Sequence, residues 1–420
     1  MEMKRILFVD DEINVLMALR RMMHAHRQEF QATFLDSAHR ALDLLKKQKF
    51  EAVVSDMLMP EMNGVELLKK VKEQSPDIIR FVLSGQSEQE GVLHSMDYVH
   101  QFLPKPCSDE VLLNALRSAL ALKDQVEGTD VKRVVSSMSQ LPSMPMIYQQ
   151  LLRELENPNT AMKRIGEVIS QDLGLTTKVL KLVNSAYFGM TKKIANPVQA
   201  VKLLGINTVK ALTLSVEVFS QFSDFDVEQF SIDMLWRQST LIGALSRRIA
   251  QLENAEESVV DHAMIGGLLH DVGILVLGSR LQPKFKEIIQ EAVQGNRNLI
   301  DVEQEKLNTH HGEIGGYLMN LWSLPDGIVK SITYHHKPIV SGTPQFTALT
   351  AVHVALGLVT KLDSSLYPVL RTELDTDYLD KIGLTRRLPI WEKQVQEHLL
   401  VGQEETEGES DEKAAPQAQP

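Results

Sequence analysis

The sequence predicts a doubly wound parallel α/β sheet at the front of the chain and an all-helical domain behind it. Three observations carry that prediction. Short β-rich apolar runs alternate with helix-period segments over roughly the first hundred residues. From about 146 to 400, apolar positions recur almost wholly at helical spacing. Between the two regions, LPSMP (141–145) breaks the chain with two prolines.

The first run, residues 4–9 (KRILFV), closes in Asp10 and Asp11. Residues 51–56 (EAVVSD) repeat the plan and end in Asp56. Residues 79–84 (IRFVLS) end in Ser84, and 99–105 (VHQFLPK) end in Lys105. Helix-period segments at 14–26, 38–48, 64–74 and 87–97 separate them. Function in such sheets gathers at the C-terminal ends of the strands, where all of this polar punctuation falls. Ser108 is placed to cap a helix over about 109–126, and Gly128 stops it. The linker is placed at 124–140. In the rear half MKRIGEVI, TTKVLKLV, PVQAVKLLG, VKALTLSVEVF, MLWRQSTLIGALSRRIA and AMIGGLLHDVGILVLG all carry helical periodicity. Residues 402–420 hold six acids against one lysine and almost no apolar side chains, so a disordered tail is expected.

Composition narrows the function classes. At 420 residues, two or three domains are expected. A net charge of −11 argues against broad binding to DNA or to anionic membranes, both of which need a basic face. The single cysteine, Cys107, excludes a disulfide framework within the chain. No apolar run reaches the ~18 residues of a membrane span. The N-terminal MEMKRILFVDDE has no apolar signal core. A soluble cytoplasmic protein is the expectation.

Asp10, Asp11 and Asp56 converge at one edge of the predicted sheet. Three carboxylates in a cleft repel unless a cation screens them, and oxygen-only ligands suit Mg2+. Asp56 is then a nucleophile for a phosphoryl group, with Ser84 to donate to its oxygens and Lys105 to pair with its charge. Singly, each Asp reads as a cap or turn residue. The ordered set FVDDE, SDMLMPEMNG, VLSG and FLPKP, over residues 1–123, resembles the receiver domain of two-component response regulators. That resemblance implies a five-stranded, flavodoxin-like sheet. It implies Asp56 as phospho-acceptor, Asp10 and Asp11 as metal-site acids, and Ser84, Phe102 and Lys105 at the switch positions. It also implies a sensor histidine kinase as donor and a homodimer as one mode of assembly.

The stretches LPSMPMIYQQLLRELENPNT, ISQDLGLTTKVLKLVNSAYFG and AVKLLGINTVKALTL resemble the HDOD domain, a helical relative of the HD and HD-GYP phosphohydrolases. The match covers 141–340, leaving 341–401 as a helical extension. An active HD site needs a His, a His-Asp pair and a later Asp. Here only the pair, His270–Asp271, is present. Gln238 stands in the place of the first His, and the Leu356 region in that of the last Asp. His311, His335 and His336 match the extra histidines of HD-GYP proteins, so an adventitious or structural ion remains open. The favoured reading is a satisfied buried His-Asp network. His353 is either a substitute ligand or a core histidine. DLGLTTKVLKLVNSA (172–186) has the look of a DNA-reading helix-turn, but leucines fill its would-be recognition face, which favours core packing.

Two functions stay in competition. One is a non-catalytic response regulator whose HDOD output acts through protein partners, among them an enzyme of cyclic-di-GMP signalling. The other is a phosphorylation-gated, metal-dependent phosphodiesterase.

Overall fold

The computed structural model describes residues 3–75, 78–84, parts of 98–120, positions 131 and 134, then 144–155, 162–184, 194–222, 225, 227, 230–322, 324–363 and 369–399. The chain divides into two compact units, Met1–Met144 with Tyr317–Leu324, and Pro145–Gly316 with Pro325–Pro420. The tail at 402–420 and nearly all of the linker expected at 124–140 lie outside the described residues, as does the helix expected at 87–97.

The first unit is an α/β fold. Strands β1 (Lys4–Val9), β2 (Phe30–Leu35), β3 (Ala52–Asp56), β4 (Ile79–Ser84) and β5 (Gln101–Pro104) form one parallel sheet in the order β2-β1-β3-β4-β5. Helices α1 (Ile13–Ala25), α2 (Ala38–Leu45) and α3 (Gly64–Gln74) connect the first four strands. Parallel strands need such crossovers, which cover the sheet and let its centre read as unbroken apolar sequence. Ile6, Leu7 and Phe8 are accordingly fully buried. β2 is absent from the apolar runs picked out by sequence. It is an edge strand, FQATFL, only partly buried after Phe30, so it never forms a continuous apolar run. Phe34 stacks on Phe8 with ring centroids 5.1 Å apart and fixes it there.

The turn after β3 is held by backbone contact. Gly64 N donates to Met57 O at 2.9 Å, and Asn63 caps α3 by accepting from Glu66 N. A Cβ at Gly64 would sit 1.8 Å from the Asp56 carbonyl oxygen, so only glycine allows this approach. Gly64→Ala is therefore expected to cost about 1–3 kcal/mol by overpacking. Hydrogen exchange would show it as lost protection in β3 and the turn that follows.

The second unit is helical. Its elements are α4 (Met146–Leu155), α5 (Met162–Ser170), α6 (Leu173–Val183), α7 (Pro197–Leu204), α8 (Ile206–Ser220), α9 (Ile232–Leu252), α10 (Glu257–Leu269), α11 (Val272–Arg280), α12 (Gln282–Gln294), α13 (Leu299–Leu307), α14 (His311–Leu321), α15 (Asp326–Thr333), α16 (Ala348–Leu362) and α17 (Thr376–Lys381). A further helix covers 388–399. α10 lies at the centre, packed on α8, α9, α15 and α16. Leu175, Val179 and Val183 of α6 turn into the core, as the leucine-rich face of that segment requires. Asn184 pins the chain beyond α6: its Oδ1 accepts from Ile194 N and its Nδ2 donates to Ile194 O.

The expectation that no apolar run reaches membrane-span length needs correction. Glu257–Arg280, 24 residues, contains an 18-residue stretch of mean hydropathy 1.5 and is long and apolar enough by composition. That stretch is 83 % buried within the protein, as a core helix pair, α10 and α11, would be. His270 and Asp271 interrupt it.

Candidate functional site

Two groups of side chains are spaced for a cation, one in each unit. In the α/β unit, ligand atoms of Asp10, Asp11 and Asp56 all lie within 4.8 Å of one another. β1 delivers Asp10 and Asp11 just past its last residue, and β3 ends on Asp56. β5 ends immediately before Lys105. Parallel pairing in register brings these three strand ends to the same edge. Lys105 Nζ spans the acids, 2.9 Å from Asp10 Oδ2 and 2.5 Å from Asp56 Oδ1. Asp10 Oδ1 also accepts from Glu12 N.

Burial, with the Asp10 charge adding to it, raises the Asp56 carboxyl above the ordinary aspartate value, although Lys105 pulls the other way. Burial also opposes the Lys105 ammonium, but its bonds to Asp56 and Asp10 outweigh that and hold it above the ordinary lysine value. One cation thus serves two buried carboxylates: they raise Lys105, while Lys105 only partly offsets the burial of Asp56. Ser84 ends β4 opposite Pro104, and Phe102 lies within β5. The side chains of both lie outside the described residues.

Removing Lys105 leaves Asp10 and Asp56 facing each other with no internal cation. Lys105→Met is expected to cost about 3 kcal/mol, the lower end for breaking a buried pair because Lys105 keeps 23 % exposure. Added Mg2+ should recover more stability in this variant than in the parent protein, read by thermal melting with and without the ion.

The second group lies where α10 meets α11. His270 and Asp271 fill the joint and are 1 % and 3 % exposed. The close approach of this joint to α14 depends on Gly273, where a Cβ would stand 1.9 Å from the His311 carbonyl oxygen. Asp271 is thereby surrounded. Its Oδ2 is 2.9 Å from His270 Nε2, and its Oδ1 is 3.5 Å from His311 Nε2 and 3.8 Å from His335 Nε2. Burial pushes this carboxyl up, but His270, His311 and His335 outweigh it and hold it at about 2.

The other ring nitrogens are engaged. His270 Nδ1 donates to Gly267 O at 2.8 Å and His335 Nδ1 to Ile332 O at 2.7 Å. His311 Nδ1 lies 2.7 Å from Glu303 Oε2, which also accepts from His311 N. His336 bridges Thr372 Oγ1 and His311 Nε2, each at 2.9 Å. Burial, reinforced by the neighbouring imidazoles, holds His335 and His336 well below the ordinary histidine value. Burial opposes charge on His311 too, but Glu303 and Asp271 raise it.

The five residues expected in this half therefore do converge. Sequence reasoning missed Glu303 and Thr372. Glu303 had a signal: it stands four residues after Leu299 and four before Leu307, on the apolar face of α13, where a carboxylate needs a reason. His353 is resolved as a core residue. Its Nδ1 donates to His335 O and its Nε2 accepts from Asp375 N, leaving neither nitrogen for a ligand. Gln238 is buried on α9 and Leu356 on α16.

Comparison with known proteins agrees with both halves. Residues 6–117 match the response regulator receiver domain and residues 141–338 the HDOD domain. An uncharacterised protein of Treponema pallidum (strain Nichols) is 29 % identical over 228 residues, 52 % of this chain and 43 % of its own length. The hydrogenase transcriptional regulatory protein HoxA of Bradyrhizobium diazoefficiens is 29 % identical over 175 residues, 38 % of this chain and 36 % of its own. The chain thus spans under half the length of either relative. The crystal structure of a signal transduction protein from Marinobacter aquaeolei VT8 covers 86 % of this chain and 85 % of its own at 16 % identity, with a TM-score of 0.52. That is agreement in fold. The chain belongs to the response regulators, with an N-terminal receiver domain joined to a C-terminal HDOD domain.

Proposed function

We propose that the receiver takes a phosphoryl group onto Asp56 from a sensor histidine kinase, and that this charge event changes how the HDOD domain binds a protein partner. The observation that carries the reading is Lys105 spanning Asp10 and Asp56 at the C-terminal edge of the sheet. A carboxylate oxygen of Asp56 attacks phosphorus, and the P–N bond to the donor histidine breaks. The imidazole leaves with the electron pair and takes a proton from solvent.

Asp10, Asp11 and Asp56 fit a hard cation by donor type and spacing. Mg2+ bound there would screen the charge on the phosphoryl oxygens. Lys105 neutralises part of the new dianion. Ser84 and Phe102 are assigned as the hydroxyl and the ring that respond to it, a local charge change biasing a two-state surface.

The HDOD domain is proposed to act by contact rather than by hydrolysis. Gln238 and Leu356 offer no metal ligand comparable to His or Asp, and the His–Asp pair is closed off from solvent. The partner is a protein, and an enzyme of cyclic-di-GMP turnover is the first to test. The action is placed in the cytoplasm, where a histidine kinase presents its phosphohistidine.

The test is a partner pull-down from bacterial cytosol, using the 420-residue chain and its Asp56→Asn variant, each with and without a small acyl phosphate and Mg2+. Partner affinity is expected to change by about 5–150-fold on phosphorylation of the parent, and not at all in the variant. Equal binding in all four conditions would sink the regulator reading. So would metal-dependent cleavage of cyclic-di-GMP by the full chain.

A further inference from the structure

We propose that the helical unit carries a small-molecule site between α13, the start of α14 and the end of α15, and that this site takes a free amino acid with an apolar side chain. The inference is independent of the phosphorylation reading. It is also separate from the buried His-Asp pair, because Glu303 and His311, both fully buried, do not line the site.

The site is a cavity of about 290 Å3. α13 supplies Ile300 and Asp301, α14 supplies Glu313, and the end of α15 with the turn after it supplies Tyr334, Lys337 and Val340. At the ~30 Å3 that one water takes in the liquid, the cavity has room for roughly ten non-hydrogen atoms. That is the size of leucine, methionine or phenylalanine, at the small end of ligand pockets. Ile300, Val340 and the Tyr334 ring give it apolar surface. Val340 is 66 % exposed, so an apolar occupant would take that side chain out of water.

The charges decide the class of ligand. Lys337 brings one ammonium to the cavity, and Asp301 and Glu313 bring two carboxylates. Among the described residues neither Lys337 nor Asp301 enters an ion pair. Arg297 feels the Asp301 charge but pairs with Glu291 and Glu305 instead. Glu313 is held by Thr309, whose Oγ1 donates to Oε2 at 2.7 Å, and its ion-pair neighbour among the described residues is His310 Nε2, at 3.9 Å. The Glu313 side chain is only 20 % exposed. Charges facing bulk water stand unpaired at little cost. Here opposite charges line one partly apolar concavity without closing on each other, so its occupant must answer both signs. A phosphate would meet two carboxylates, and a diamine would meet Lys337. A neutral apolar molecule would strip water from Glu313 and return no hydrogen bond. A zwitterion satisfies all three groups: its ammonium serves Glu313 and Asp301, its carboxylate serves Lys337, and its side chain lies against Ile300, Val340 and Tyr334.

The test titrates the 420-residue chain by calorimetry with leucine, methionine and phenylalanine, beside their carboxamides, their N-acetyl derivatives, inorganic phosphate and putrescine. At least one of the three amino acids is expected to bind with a dissociation constant of about 1 mM or tighter. Its carboxamide and its N-acetyl form should each bind about 10–100-fold more weakly, the loss of one charge-assisted hydrogen bond. Lys337→Met, at an exposed position, should weaken the amino acid to the same degree and no longer distinguish it from its carboxamide. Glu313→Gln should weaken it as well. If Glu313→Gln does not fold, Lys337→Met and the ligand derivatives decide. No binding by any of the three amino acids at about 10 mM overturns the inference, as does tighter binding of phosphate or putrescine than of all three. So does a Lys337→Met protein that still prefers the amino acid over its carboxamide as strongly as the parent.

Discussion

Asp56→Asn is expected to take phosphoryl incorporation from one group per chain to none when the protein is incubated with a small acyl phosphate and Mg2+, read by intact-mass spectrometry. The amide keeps the size of the side chain and still offers an oxygen to Lys105, so the sheet edge should survive. What disappears is the nucleophile, because an amide oxygen does not form a stable acyl phosphate. Asp10 does not substitute. It is fully buried and already accepts from Glu12 N and from Lys105, whereas Asp56 is slightly exposed at the last position of β3. Asp11 is more exposed, but it lacks the ammonium at 2.5 Å that Asp56 has. Incorporation at an unchanged level in Asp56→Asn would move the acceptor elsewhere and remove the basis for Lys105 as the group that senses the dianion.

How far the chain was legible depended on how each element is buried. β1 and β3 are covered on both faces, so their sequences are unbroken apolar runs, and the acids that end them stand out. β2, at the sheet edge, mixes exposure with burial and leaves no such run. The receiver pocket was readable because parallel strands in register bring their C-terminal ends together, so position along the sequence already implies position in space. The helical site offered no such rule. His270, Glu303, His311, His335 and Thr372 meet through helix packing across about a hundred residues, and helical periodicity says which residues face inward but not which of them meet. The His-Asp pair is buried, as expected, with His270 Nε2 2.9 Å from Asp271 Oδ2 and His335 Nε2 3.8 Å from Asp271 Oδ1.

Glu303→Ala is expected to lower the stability of the helical unit by about 3–5 kcal/mol, the range for breaking a buried charged pair by removing one partner. Glu303 is fully buried, and its Oε2 accepts from both His311 N and His311 Nδ1. Alanine leaves both donors without a partner in a site that water does not reach, and adds a cavity. Glutamine retains the volume and one acceptor oxygen, so Glu303→Gln should cost less, about 1–3 kcal/mol. The pair is not itself a large net source of stability, since taking a carboxylate and an imidazole out of water cancels much of their attraction. It follows that replacing both partners, Glu303→Leu with His311→Phe, should cost less than the sum of the single changes. In a Trp322→Phe background the two remaining tryptophans, Trp236 and Trp391, both lie in the helical unit, so urea unfolding followed by their fluorescence reports on that unit. If Glu303→Ala and the parent unfold at the same urea concentration, the Glu303–His311 contact does not brace this site. Strict additivity in the double change would show that the two residues act independently.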